Sequence, residues 1–235
     1  FTVSVCYCAR CQQRFQREQH LELPRTFKAP GWAAFKEMQR QIYREFVRDT
    51  ARHIKRRDPQ CLVAVNWAFS FRMPEAPPEG VDYFTGDHGD QVEALPADAC
   101  WYDSQGQPFD LMTTVFVRNG RRSEPKPRQQ LEQEMAVIVA NGGRYFAWDN
   151  PTPETGLVPE RLEWAGRVVG PFLRARQPWC LGSRRVPDVS LFHGATAHYA
   201  QTAKAPVVFP HEDVPVLSAD QTLRQMHLNH EMISD

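Results

Sequence analysis

Short apolar runs alternate with longer helical stretches as far as Cys180, and this rhythm constrains the chain more than any one motif. The runs occupy residues 61–67, 81–85, 109–116 and 145–148. Apolar strands separated by a helix cannot pair as tight hairpins. They pair in parallel, with the intervening helices laid back on the sheet. The helical stretches are read at 31–57, 97–105, 128–140 and 159–176. In the first, Trp32, Phe35, Met38, Ile42, Phe46 and Ile54 recur at helical spacing and are expected to face inward. Leu131, Met135 and Ile138 do the same in the third, and Leu162, Ala165, Val169, Phe172 and Leu173 in the fourth. Asp58-Pro59 and Asn141-Gly142-Gly143 are the stops. The Arg- and Pro-rich stretch after Phe116 is read as a loop.

Two parallel architectures suit such a rhythm. A doubly wound sheet wants a Gly-rich phosphate loop after its first strand, and none is present. Four strands in some 180 residues are instead half of an eight-stranded barrel of about 250 residues. The expected fold class is therefore α/β, the C-terminal half of a (β/α)8 TIM barrel over residues 1–183. Past Arg184-Arg185 the composition changes. A strand at 186–192, a turn at 194–196 into 197–200, a Pro-rich loop and a helix at 223–229 read as the beginning of a second α/β domain, residues 184–235. The opening Phe1-Thr2-Val3 suggests a fragment or a processed chain.

Charge narrows the partners. The 28 basic and 28 acidic residues cancel, which argues against a nucleic-acid backbone as the bulk partner. The basic run 53–57 sits where a helix ends, a position where cations complement the helix dipole. No apolar run approaches the roughly 18 residues of a membrane span. The six cysteines do not decide the compartment.

Cys6, Cys8 and Cys11 lie within six positions. Neighbouring cysteines at this spacing are awkward to bridge as a disulfide, whereas thiolates on a tight loop converge readily on one tetrahedral ion. Structural zinc is the expected cofactor. Its fourth ligand is left to Cys61, Cys100, Cys180, His20 or a residue outside the chain.

Parallel α/β folds place their chemistry at the C-terminal ends of the strands. Those ends carry Asn66 and Trp67, Asp87 and His88, Thr113 and Thr114, then Trp148, Asp149 and Asn150. Two carboxylates, Asp87 and Asp149, suit glycosidic bond cleavage, one protonating the leaving oxygen and the other attacking or activating water. Tryptophan faces suit sugar rings, and amides hydrogen-bond hydroxyls. Asn66, Trp67, His88, Trp148 and Asn150 are accordingly the expected carbohydrate-binding residues. Thr113 and Thr114 lack a base partner, and Glu93 and Glu154 read as solvated loop charges.

Cys6-Tyr7-Cys8-Ala9-Arg10-Cys11 followed by Phe15 is similar to the cysteine cluster of the family 42 β-galactosidases, which holds zinc. The order of motifs resembles still more the hypothetical glycosyl hydrolases of type 6, whose barrel is distantly like that of α-L-fucosidases. The matching pieces are the cysteine loop, residues 81–88, residues 106–109 with Met112-Thr113-Thr114, and residues 140–143. Residues 187–235 resemble the opening of a β-galactosidase trimerisation domain of flavodoxin- or amidotransferase-like fold, which implies a homo-oligomer. The family 42 pattern puts a nucleophilic glutamate at the end of the seventh strand, where this chain has Thr113-Thr114-Val115. The fucosidase-like arrangement, its nucleophile on a strand upstream of Phe1, fits better. It implies a hydrolase of terminal galactose- or fucose-like sugars with Asp87 as acid/base and Asp149 as second carboxylate or hydroxyl binder. The competing readings are a carbohydrate-binding or assembly protein without chemistry, and a zinc module for nucleic acid, which the neutral charge disfavours.

Overall fold

A computed structural model describes residues 5–66, 73–87, 94–119, 122–151, 156–203 and 215–235. Helix α1 (Ala9–Gln19) leads through a turn to the long α2 (Trp32–Arg57). Then follow β1 (Ala64–Asn66), β2 (Tyr83–Asp87), α3 (Leu95–Ser104), β3 (Phe109–Thr114), β4 (Phe116–Asn119) and β5 (Arg122–Pro125). Helix α4 (Arg128–Ala140), β6 (Arg144–Trp148) and α5 (Pro159–Cys180) complete the first part. The last part holds β7 (Val189–Phe192), α6 (Ala195–Thr202), α7 (Pro215–Gln225) and β8 (His230–Ile233). None of the described helices is long and apolar enough to cross a membrane.

Strands β1, β2, β3 and β6 form one parallel sheet in that order. The expected mixed α/β class with a parallel sheet is therefore present. Among the described residues the sheet is open, with β1 and β6 at its edges. Strand alternation sorts its side chains. Phe84 packs against Trp101 and Tyr102 of α3, and Phe109 stacks on Tyr102. Leu111 joins the same core, and Tyr145 packs against it. The alternate residues, Asn66, Thr85, Asp87, Asp110, Met112, Thr114, Arg144, Phe146 and Trp148, share the opposite face. Arg144 and Phe146 there are exposed.

Gly86 shows how tightly the covered face is packed. A Cβ on it would lie 2.6 Å from Leu111 Cδ2 and 3.0 Å from the Tyr102 ring. Gly86→Ala is expected to cost about 1–3 kcal/mol by overpacking, read as a lower urea midpoint at unchanged m-value. An unchanged midpoint would mean the core yields there.

Several sequence expectations shift. Helix α2 does not bury one continuous stripe: Phe46 is 65% exposed, while Val47 and Ala51 are buried. Its first half packs with Cys11 and Phe15 and its second half against the sheet core, so the buried face changes along 26 residues. The first strand is shorter than 61–67, because Asp58 and Cys61 close a turn and Leu62 is exposed. The Arg- and Pro-rich stretch is not a loop. It is an antiparallel hairpin pairing Phe116 with Pro125 and Val117 with Glu124. Helix α5 continues past 176 to Cys180. The last helix begins at Pro215, a residue suited to a first helical turn, and ends before His227, whose φ of 56° stops it.

The last part is another parallel pair, β7 with β8. It shares a core with the first: Val216 and Met232 lie in one cluster with Phe84, Trp101 and Leu111. Lys36 Nζ donates to Thr202 O at 2.6 Å, and the Tyr199 hydroxyl to Glu75 at 2.5 Å.

Candidate functional site

The C-terminal ends of the four strands fall where the sequence puts them, and the register aligns them. Asn66 pairs with Thr85, Thr85 with Asp110, and Asp110 with Arg144, so one polar row crosses the whole sheet on the face opposite the α3 core. The next row toward the strand ends is Asp87, Met112 and Phe146, and beyond it Thr114 lies beside Trp148. A parallel sheet normally has both faces covered by apolar packing. A face carrying two carboxylates, an amide, a guanidinium and an indole is instead suited to a hydroxyl-rich ligand.

Asp87 ends β2 and is exposed. Asp110, which the sequence reading passed over, is half-buried and accepts a hydrogen bond from the Thr85 hydroxyl at 2.5 Å. Burial pushes its carboxyl above the ordinary aspartate value. Thr85 and Arg144 offset part of this, and the charge of Asp87 adds to it. The signal for Asp110 was a lone charged residue inside the apolar run 109–116. Asn66 is half-buried, with its carbonyl oxygen held by the Tyr43 hydroxyl at 2.6 Å. Among the described residues its side-chain Oδ1 is buried without a hydrogen-bond donor. Trp67 and His88 lie outside the described residues.

Asp149 is placed differently from Asp87. It is 8% exposed and forms an ion pair with Arg161 of α5 at 2.5 Å. The pair is held by charge, without an aligned hydrogen bond. Arg161 also donates to the Asn150 carbonyl at 3.1 Å and lies over the Phe116 ring, which packs against Trp148. This set braces the β6 end against α5 and the hairpin. The hydroxyls of Thr113 and Thr114 are engaged locally, with Tyr145 and the Phe116 carbonyl.

No family model and no curated protein matches the chain. The family 42 and trimerisation-domain resemblances therefore rest on the residues alone. Among solved structures, α-L-fucosidase isoenzyme 2 from Paenibacillus thiaminolyticus superposes over 99% of this chain with a TM-score of 0.72 and 18% identity. The chain shares the fold of part of an α-L-fucosidase. It spans 34% of that chain's length.

The cysteine loop lies at the start of α1. The three sulfurs of Cys6, Cys8 and Cys11 lie within 4.8 Å of one another, Cys11 buried and the other two exposed. Among the described residues no fourth histidine, cysteine or carboxylate joins the group, so His20, Cys61, Cys100 and Cys180 are not its neighbours. The Cys11 backbone N–H, with the Cys6 and Cys11 thiols, pulls the Cys8 thiol down to about 7. Burial pushes Cys11 up to about 11. In chelator-treated protein Cys8 is expected to be alkylated first among the six cysteines, with a half-maximal rate near pH 7. A midpoint at the ordinary thiol value of about 8.5 would show that the loop does not hold its geometry in solution.

Proposed function

We propose that the chain is the C-terminal half of a (β/α)8 glycoside hydrolase barrel followed by the start of a second α/β unit. The polar face of a parallel sheet that is apolar on its other side is the observation that carries this reading. On a closed barrel that face lines the interior, and its strand ends form the site. Asp87 is the acid/base carboxylate, exposed at a strand end. Asn66 and Trp148, with Asp110 below them, hold sugar hydroxyls and a ring face. Asp149 fixes the β6 end through Arg161, and Asn150 is held with it. The substrate class is a terminal fucose- or galactose-like sugar, in keeping with the fold shared with an α-L-fucosidase. The nucleophile is a carboxylate of the other half-barrel.

The three convergent thiolates fit a structural zinc ion, with a fourth ligand from outside the described residues. Cys6, Cys8 and Cys11 would hold it, and it would fix the loop ahead of α1.

The test is hydrolysis of aryl α-L-fucosides and aryl β-D-galactosides by the longer polypeptide that contains this chain. Turnover lowered about 10²–10⁴-fold by Asp87→Asn supports the reading. Sugar binding without turnover would support a carbohydrate-binding protein instead, a reading favoured by the absence of a carboxylate at the end of β3.

A further inference from the structure

A second cluster of ligating side chains lies on the α3 side of the sheet, where the last part of the chain meets α3. Cys100 of α3, Asp220 of α7 and His230 of β8 are all buried, and their ligating atoms lie within 4.8 Å of one another. The imidazole is the informative member. Its Nε2 is 2.9 Å from Asp220 Oδ1, and its Nδ1 is 3.4 Å from the Leu228 carbonyl. Both ring nitrogens thus face oxygen acceptors, while a neutral imidazole carries one proton. With that proton on Nδ1, Nε2 and the carboxylate present two lone pairs to each other. In that tautomer both can ligate one metal ion, whereas with the proton on Nε2 the two form an ordinary hydrogen bond.

The surroundings match those of a metal site. A ligating histidine commonly donates its other N–H to a backbone carbonyl, and a ligating carboxylate is itself hydrogen-bonded. Leu228 O stands in the first place, and Arg224 meets Asp220 Oδ2 as an ion pair rather than an aligned hydrogen bond. Arg185 donates to the His230 carbonyl at 2.7 Å and pairs with Asp103 at 3.0 Å, which fixes the strand end. Ligands held about 2.0–2.3 Å from one zinc ion lie roughly 3.3–3.8 Å apart, so closing the cluster takes shifts of no more than about 1.5 Å.

We propose that Cys100, Asp220 and His230 bind a divalent ion of borderline softness, zinc in type, that clasps α7 and β8 onto α3. One thiolate and one carboxylate neutralise the ion, and Arg224 stays outside as the partner of Asp220. Loading releases the Cys100 thiol proton to solvent and leaves the imidazole proton on Nδ1, facing the Leu228 carbonyl, and no electron is transferred. Burial pushes the Cys100 thiol up to about 11, so affinity is expected to fall as pH is lowered.

The test uses cobalt(II) and zinc as probes on the whole chain carrying Cys8→Ser and Cys11→Ser, which removes the other thiolate group. About one equivalent of cobalt with a thiolate-to-metal charge-transfer band is expected, lost on adding Cys100→Ser or His230→Gln. Zinc a hundredfold above its Kd should raise the folded-to-unfolded ratio about a hundredfold, reversed by chelator. Should the serine background fail to fold, the unaltered chain is titrated, and a second cobalt component with a single thiolate is expected. Folded protein that takes up less than a tenth of an equivalent, or whose uptake ignores Cys100 and His230, would overturn the proposal and leave the His230–Asp220 contact as a hydrogen bond alone.

Discussion

Turnover by the longer protein is expected to fall about 10²–10⁴-fold when Asp87 is replaced by asparagine, the range that acid/base catalysis supplies. Asparagine keeps the shape and loses the proton. Asp87 is exposed at the end of β2, and among the described residues it has no ion-pair partner. The substitution should therefore leave stability within about 0.5 kcal/mol, as exposed sites do. Asp149→Asn is the control. It leaves the buried Arg161 guanidinium without its carboxylate, so stability and turnover should fall together. A loss below tenfold in Asp87→Asn, at unchanged melting temperature, would remove Asp87 from the chemistry.

The other large effect concerns the fold. Lys126 and Glu134 are 0% and 1% exposed, and Lys126 Nζ lies 2.9 Å from both carboxylate oxygens. Gln130 donates to the same carboxylate at 3.1 Å. Removing one partner of such a pair strands a charge in the interior, at a cost of about 3–5 kcal/mol. Lys126→Met should therefore consume much of the roughly 5–15 kcal/mol that holds an ordinary domain together. Lys126→Met with Glu134→Leu should recover part of the loss, because neither member of this pair then stands without the other. Urea denaturation of the two variants decides. A single variant that loses less than 1 kcal/mol would show that water reaches the pair.

The parallel order of the main sheet was legible in the sequence because apolar runs separated by helices allow little else. The strand ends were legible for the same reason, and Asn66, Asp87 and Trp148 lie there. The hairpin 116–125 was not, since Arg and Pro composition hid an alternation that only pairing with a neighbour reveals. Phe46 misled because α2 packs on two different partners and its buried face changes midway. Asp149 read as a free carboxylate, because nothing local announces that Arg161 on the next helix will cover it. Asp110 needed the register, which sets it beside Thr85 and Arg144. Cys100, Asp220 and His230 lie too far apart in sequence for spacing to suggest a group.

The meeting of β8 with α3 also has a consequence for the order of events on the ribosome. Met232 N–H donates to Ser104 Oγ across 128 residues of chain. At about 5–20 residues per second, α3 emerges roughly 10 s before the strand that covers its Cys100 side. For that interval the nascent helix presents an unfinished surface, and the long loop closure comes last. Slowing translation beyond α3 should lengthen exposure to chaperones and proteases without altering the finished protein.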